Sequence, residues 1–341
     1  MKHLSYHYIM GLLTACVMSV AMTGCTAEDD GQTTDGRTAT IRLDIPMLEA
    51  ATRAISEPTK EQESAIHKLR VVILSKGATS INNEYTADDL TSGSITISNV
   101  PVGHVEMYVI ANEGSLGKDY SSLSDLQQDV DQTTKKVHIK DTNREWFPKR
   151  GSRSEFPATG LPMEWMNKNM IINPPTGTPQ VIDVELTRAV AKLKITMNNA
   201  LSEPITINSM SFGPFFGDCI YLFHTSSLDV PDDTNYAEMS YTENIDIPIE
   251  GNSSATLTLY IYPSFAWKKA EDASPYTIGF TTKAGGNYPK LAFVNNYGAL
   301  NSIARNTQVN ISATLRTDTH INIDFEVVPW EENTVDVPPF N

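Results

Sequence analysis

From Thr38 to Met47 apolar and polar residues alternate. Ile41, Leu43, Ile45 and Met47 fall on one side, and Thr40, Arg42, Asp44 and Pro46 on the other. A period of two is that of a strand with one buried face. Segments of this kind recur at 68–75, 94–100, 104–111 and 135–139. One helix is predicted over 122–130, where Leu123, Leu126 and Val130 stand at helical spacing. A polar interval, 141–179, reads as loop; strands resume at 180–186, 190–198, 205–212, 219–223, 244–249, 255–262, 276–282, 290–294, 307–314 and 321–328. Many short strands separated by Pro, Gly, Asn and Asp predict an all-β sandwich or barrel. The strand–helix alternation of a parallel sheet is missing. A domain boundary is expected within 186–190.

The N-terminus is patterned differently. Lys2 precedes an uncharged apolar run from Ile9 to Ala21. A run of about 7–15 apolar residues suits a signal-peptide core, whereas a membrane-spanning helix needs roughly 20. The run ends in Ala21-Met22-Thr23-Gly24-Cys25, which resembles a lipobox, with Met22 where Leu is commoner. Residues 1–25 are therefore expected to be a lipoprotein signal, with Cys25 acylated. The lipid would be the chain's attachment to the outer membrane. Thr26-Ala27-Glu28-Asp29-Asp30 follows, an acidic cluster resembling a surface-export tag, and 26–37 reads as a polar linker. Cys16 leaves with such a signal, so Cys219 has no intramolecular partner. It lies in an apolar run and is expected as a buried, inert thiol. With no disulfide, the fold must rest on its core.

The 341 residues include 26 basic and 41 acidic ones, a net charge of −15. A surface that acidic repels phosphate backbones, so no nucleic-acid partner is expected. The chain has no Gly-rich phosphate loop, no Gly-x-Ser-x-Gly elbow and no His-Glu-x-x-His helix. His104 and Glu106 would share one strand face, a lone surface pair. Asp129-Val130-Asp131 and Asp229-Val230-Pro231-Asp232-Asp233 lack EF-hand spacing. Trp165, Trp267, Tyr260 and Tyr262 read as core or half-buried sheet residues rather than a sugar platform. No catalytic residue, cofactor or metal site is expected, and no enzyme.

Three stretches together resemble the fimbrillin family, the subunits of type V pili. They are Ile97-Ser98-Asn99-Val100-Pro101-Val102-Gly103 with Met107-Tyr108-Val109-Ile110-Ala111-Asn112; Leu186-Thr187-Arg188-Ala189-Val190-Ala191-Lys192-Leu193; and Phe325-Glu326-Val327-Val328-Pro329-Trp330 with Val335-Asp336-Val337. The resemblance implies two transthyretin-like Greek-key β-sandwich domains in tandem, over 54–186 and 187–329, with a short helix in the first. It also implies export as a lipoprotein to the cell surface and loss of an N-terminal strand to an arginine-specific protease. A neighbouring subunit's strand then fills the groove, giving a homo- or heteropolymer that supports adhesion. In this chain the removable propeptide would be 38–53, with Ile41, Leu43, Ile45 and Met47 as its buried face. Arg53 and Ala54 would flank the cut. The donor extension would be 330–341, carried by Trp330, Val335 and Val337. Two alternatives stay open: a pilus anchor that keeps its lipid and first strand, and a stand-alone lipoprotein binding a host protein or glycan.

Overall fold

The computed structural model describes residues 37–46, 58–90, 92–140, 158–223, 226, 228–241, 246–267, 273–316 and 320–330. Cys25, Met47, Arg53, Ala54, Val335 and Val337 lie outside them. The fold is all-β, as the alternation predicts. Two β-sandwiches lie in tandem, each closing over its own apolar cluster.

In the first half, one sheet runs in the order Ala78–Thr86, Lys68–Ser75, Gly103–Ala111, Met163–Ile172, Thr187–Arg188. A second has three strands, Ser94–Pro101, Thr38–Asp44 and Gln180–Asp183. Between them pack Ile41, Leu43, Leu69, Val71, Ile73, Ile97, Met107 and Val109, all buried. In the second half, Ser254–Ile261, Ala191–Asn199, Thr307–Leu315 and Ile321–Pro329 form a four-stranded sheet. It faces a sheet built from Tyr236–Tyr241, Ile205–Gly217, Thr277–Thr282 and Asn287–Ala292. Ala191–Asn199 alternates buried and half-buried side chains without a break, which is what a strand with one core face requires.

A third apolar cluster joins the halves. Ile110, Tyr120, Ile139 and Leu161 from the first meet Ile220, Leu222, Tyr260, Tyr262 and Trp330 from the second. A two-stranded ladder, His138–Lys140 with Cys219–Tyr221, crosses the same junction. Ion pairs between the halves reinforce it. Lys136 Nζ lies 2.6 Å from Asp229, and the fully buried Arg305 lies 3.6 Å from Glu164. Burial pulls the Arg305 guanidinium down to about 10. It remains charged at neutral pH and donates to the carbonyls of Leu222 (2.9 Å) and Tyr221 (2.6 Å).

The structure departs from the sequence reading in several places. The interval 141–179 is not all loop, because Met163–Ile172 is a strand paired along Gly103–Ala111. Strands also occur at Ala78–Thr86 and Tyr236–Tyr241. The strand expected at 135–139 occupies His138–Lys140. Among the described residues the first half holds two short α-helices rather than one. Leu123–Gln128 is capped by the Ser122 hydroxyl, and Lys60–Ser64 starts from a capping box between Thr59 and Gln62. Among the described residues no helix is long and apolar enough to cross a membrane.

Candidate functional site

The first strand occupies a slot. Thr38–Asp44 lies between Ser94–Pro101, antiparallel, and Gln180–Asp183, parallel. Among the described residues neither neighbour pairs with any other strand. Ile41 and Leu43 are fully buried and Ile45 is 2% exposed. The ends are tied as well: Ile45 N donates to Gly93 O at 2.7 Å, and Val184 N to Asp44 O at 2.9 Å. Outside, Arg42 and Asp44 pair with each other at 2.8 Å. The strand holds both edges of its sheet together. Removing it would leave two unpaired edges above an apolar floor.

The other end of the described chain is anchored. Trp330 follows the last strand and is 3% exposed. Its indole stacks on Tyr260, with ring centroids 5.7 Å apart at 14°. The Arg188 guanidinium lies over the indole ring, 4.6 Å from its centroid. Its Nε1 donates to Glu63 Oε2 at 3.1 Å. Glu63 is 2% exposed and also accepts from Tyr260 Oη at 2.7 Å and pairs with Lys192 Nζ at 2.7 Å. Arg188 donates to Glu63 O (3.1 Å), Ser64 Oγ (2.7 Å) and Asn306 Oδ1 (3.3 Å). Such a carboxylate is held by a full set of donors, the condition for burying a charge. Glu63 sits on the helix Lys60–Ser64, so the chain just after the expected cut grips the residue where the C-terminal segment leaves. Sequence reasoning missed Glu63 entirely and placed Trp330 within the donor. Trp330 packs into its own chain.

The remaining candidate groups are placed as follows. Tyr260 and Tyr262 are buried, Trp165 is half-buried against the first core, and Trp267 is 38% exposed. His104 is exposed, and Glu106 accepts from Tyr108 Oη at 2.5 Å. Glu84, Glu113 and Asp119 converge, and the guanidinium of Arg70 fills the space between them. It bonds Glu113 at 2.6 Å, Glu84 at 2.9 Å and Asp119 at 3.3 Å. His138, Cys219 and Asp233 also converge, from three separate segments.

The architecture is one that fimbrial and adhesion proteins use. It resembles a C-terminally truncated tip fimbrial protein Mfa3 from Porphyromonas gingivalis, with a TM-score of 0.54 at 14% identity, over 86% of this chain and 100% of that one. A putative cell adhesion protein from Bacteroides eggerthii gives 0.53 at 14%, over 86% and 97%. A fimbrilin (FimA) from P. gingivalis gives 0.52 at 13%, over 86% and 98%. No curated protein matches the sequence. The chain belongs to the family of fimbrillin-A associated anchor proteins Mfa1 and Mfa2, whose model matches residues 34–336.

Proposed function

We propose that the protein is a structural subunit of an adhesive surface pilus, exported to the outer membrane as a lipoprotein on Cys25. An arginine-specific protease cuts it between Arg53 and Ala54, and a strand from a neighbouring subunit replaces Thr38–Asp44. The observation that carries this reading is the slot, in which the first strand is, among the described residues, the one strand paired with either of its neighbours. Burying Ile41, Leu43 and Ile45 is worth about 5–9 kcal/mol gross, against a whole-domain stability of about 5–15 kcal/mol. A subunit that has lost this strand is marginally stable and takes up any strand of matching period.

The donor begins beyond Trp330, which anchors it, and uses Val335 and Val337, two apart and so on one strand face. The partners are further pilus subunits, of this or another kind, with a host protein or glycan as the fibre's target. One observation favours a second reading: the matching family is described by its anchor proteins. In an anchor the acyl chains and first strand stay, and the protein ends the fibre at the membrane.

Deleting residues 331–341 tests the donor assignment, with size and electron microscopy of surface material as readouts. The expected result is a folded monomer that forms no polymer. Polymers of normal length would overturn it.

A further inference from the structure

Cys219 pairs across the inter-half ladder with Lys140, and Tyr221 with His138. This register brings the His138 ring toward the Cys219 thiol, and the turn ending in Asp233 and Thr234 closes over both. We propose that His138, Cys219 and Asp233 bind a transition-metal dication of the zinc type, clamping the first half of the chain to the second.

The geometry is that of a coordination shell. The His138 Nε2, the Cys219 Sγ and an Asp233 carboxylate oxygen all lie within 4.8 Å of one another. Nε2 is 3.3 Å from Asp233 Oδ1, and Sγ is 3.8 Å from the same oxygen. Zinc bonds of about 2.0–2.1 Å to nitrogen, 2.0–2.2 Å to oxygen and 2.3 Å to sulfur, at tetrahedral angles, give edges of about 3.3–3.7 Å. The two edges that meet at Asp233 Oδ1 therefore already stand at or close to tetrahedral length, and the third, within 4.8 Å, needs at most a small side-chain adjustment.

The hydrogen bonding agrees. The Nε2 of His138 is buried and has no hydrogen-bond partner, since Asp233 Oδ1 lies near it but outside bonding geometry. Asp233 uses its second oxygen, Oδ2, on Lys140 Nζ at 3.4 Å, which orients Oδ1 inward. Thr234 Oγ1 lies 3.2 Å from the thiol and donates its own proton to Pro231 O at 2.6 Å. The Asp233 side chain is 53% exposed, so a water can complete the fourth position from the solvent side.

Binding forms a metal–sulfur bond, breaks the S–H bond and releases its proton to solvent; the ion stays divalent and nothing is oxidised. Because binding displaces the thiol proton, affinity rises with pH. Thiolate, imidazole and carboxylate together select zinc, cobalt or copper over calcium or magnesium. The contrast within the same molecule is the Glu84–Glu113–Asp119 cluster, where an arginine is the cation.

The test titrates the purified, chelator-treated full chain with cobalt(II), then with zinc by calorimetry. One equivalent should bind, with a thiolate-to-cobalt charge-transfer band. Cys219→Ala should abolish the band. Asp233→Asn, at an exposed position that leaves the fold intact, should weaken zinc binding at least about tenfold. Zinc should raise the unfolding temperature of the unsubstituted protein and not of Asp233→Asn. A folded protein without the charge-transfer band, or zinc affinity unchanged in both variants, would overturn the proposal.

Discussion

Glu63 Oε2 accepts a hydrogen bond from Trp330 Nε1 at 3.1 Å, although the two residues stand 267 positions apart. The bond connects the short helix behind the first strand to the point where the last strand ends. It is one strand of a net in which Tyr260, Lys192 and Arg188 also take part.

Removing the carboxylate leaves the Trp330, Tyr260 and Lys192 donors without their acceptor in a buried site, whereas Arg188 keeps its bond to the main-chain carbonyl of Glu63. Glu63→Ala should destabilise the protein by about 3–5 kcal/mol. Glu63→Gln keeps an acceptor and should lose less. Urea unfolding followed by tryptophan fluorescence measures both. Equal losses for the two variants would show that the charge, not the hydrogen bonding, carries the contact.

The first strand should matter before processing and not after. Leu43 is fully buried in the slot, so Leu43→Ala should destabilise the uncut precursor by about 2–5 kcal/mol. On the proposed processing the residue is cut away before assembly, so fibre stability should not change. A fibre weakened by the substitution would mean that the strand is retained.

The Cys219 thiol is pushed up to about 12, chiefly by burial, with the nearby Asp218 and Asp233 charges adding to it and the Thr234 hydrogen bond opposing it. Its folded value lies above its unfolded one. Stability is thus complete below about pH 9 and falls as pH rises towards about 12, since only the unfolded chain releases the proton there. In metal-free protein, the drop in urea midpoint between about pH 8 and pH 10.5 should be larger for the unsubstituted chain than for Cys219→Ala. Equal drops would show that the thiol does not contribute.

Much of the fold was legible because buried faces repeat at strand period. Ile41, Leu43 and Ile45 stand two apart and line one core, and Ala191–Asn199 alternates throughout. The missed strands lack that signal. Of Ala78–Thr86 only Ile81 is buried, so neither face reads as apolar. Its one local mark is the turn before it, where Lys76 and Gly77 both take positive φ, 51° and 73°. Met163–Ile172 buries its ends and leaves its middle half-buried or exposed with no period of two, which reads as loop. The site was half legible for a related reason. Periodicity finds the first strand and its buried face, but nothing in spacing links Glu63 to Trp330, or His138 to Cys219 and Asp233. Those contacts arise only when the two halves close on the third cluster.

The most direct measurement of the central claim is the N-terminus of the surface-exposed protein, read by mass spectrometry of material sheared from cells. The account predicts a start at Ala54, with the lipid and first strand gone. A start at acylated Cys25 would contradict it and leave the protein as an anchor with its first strand in place.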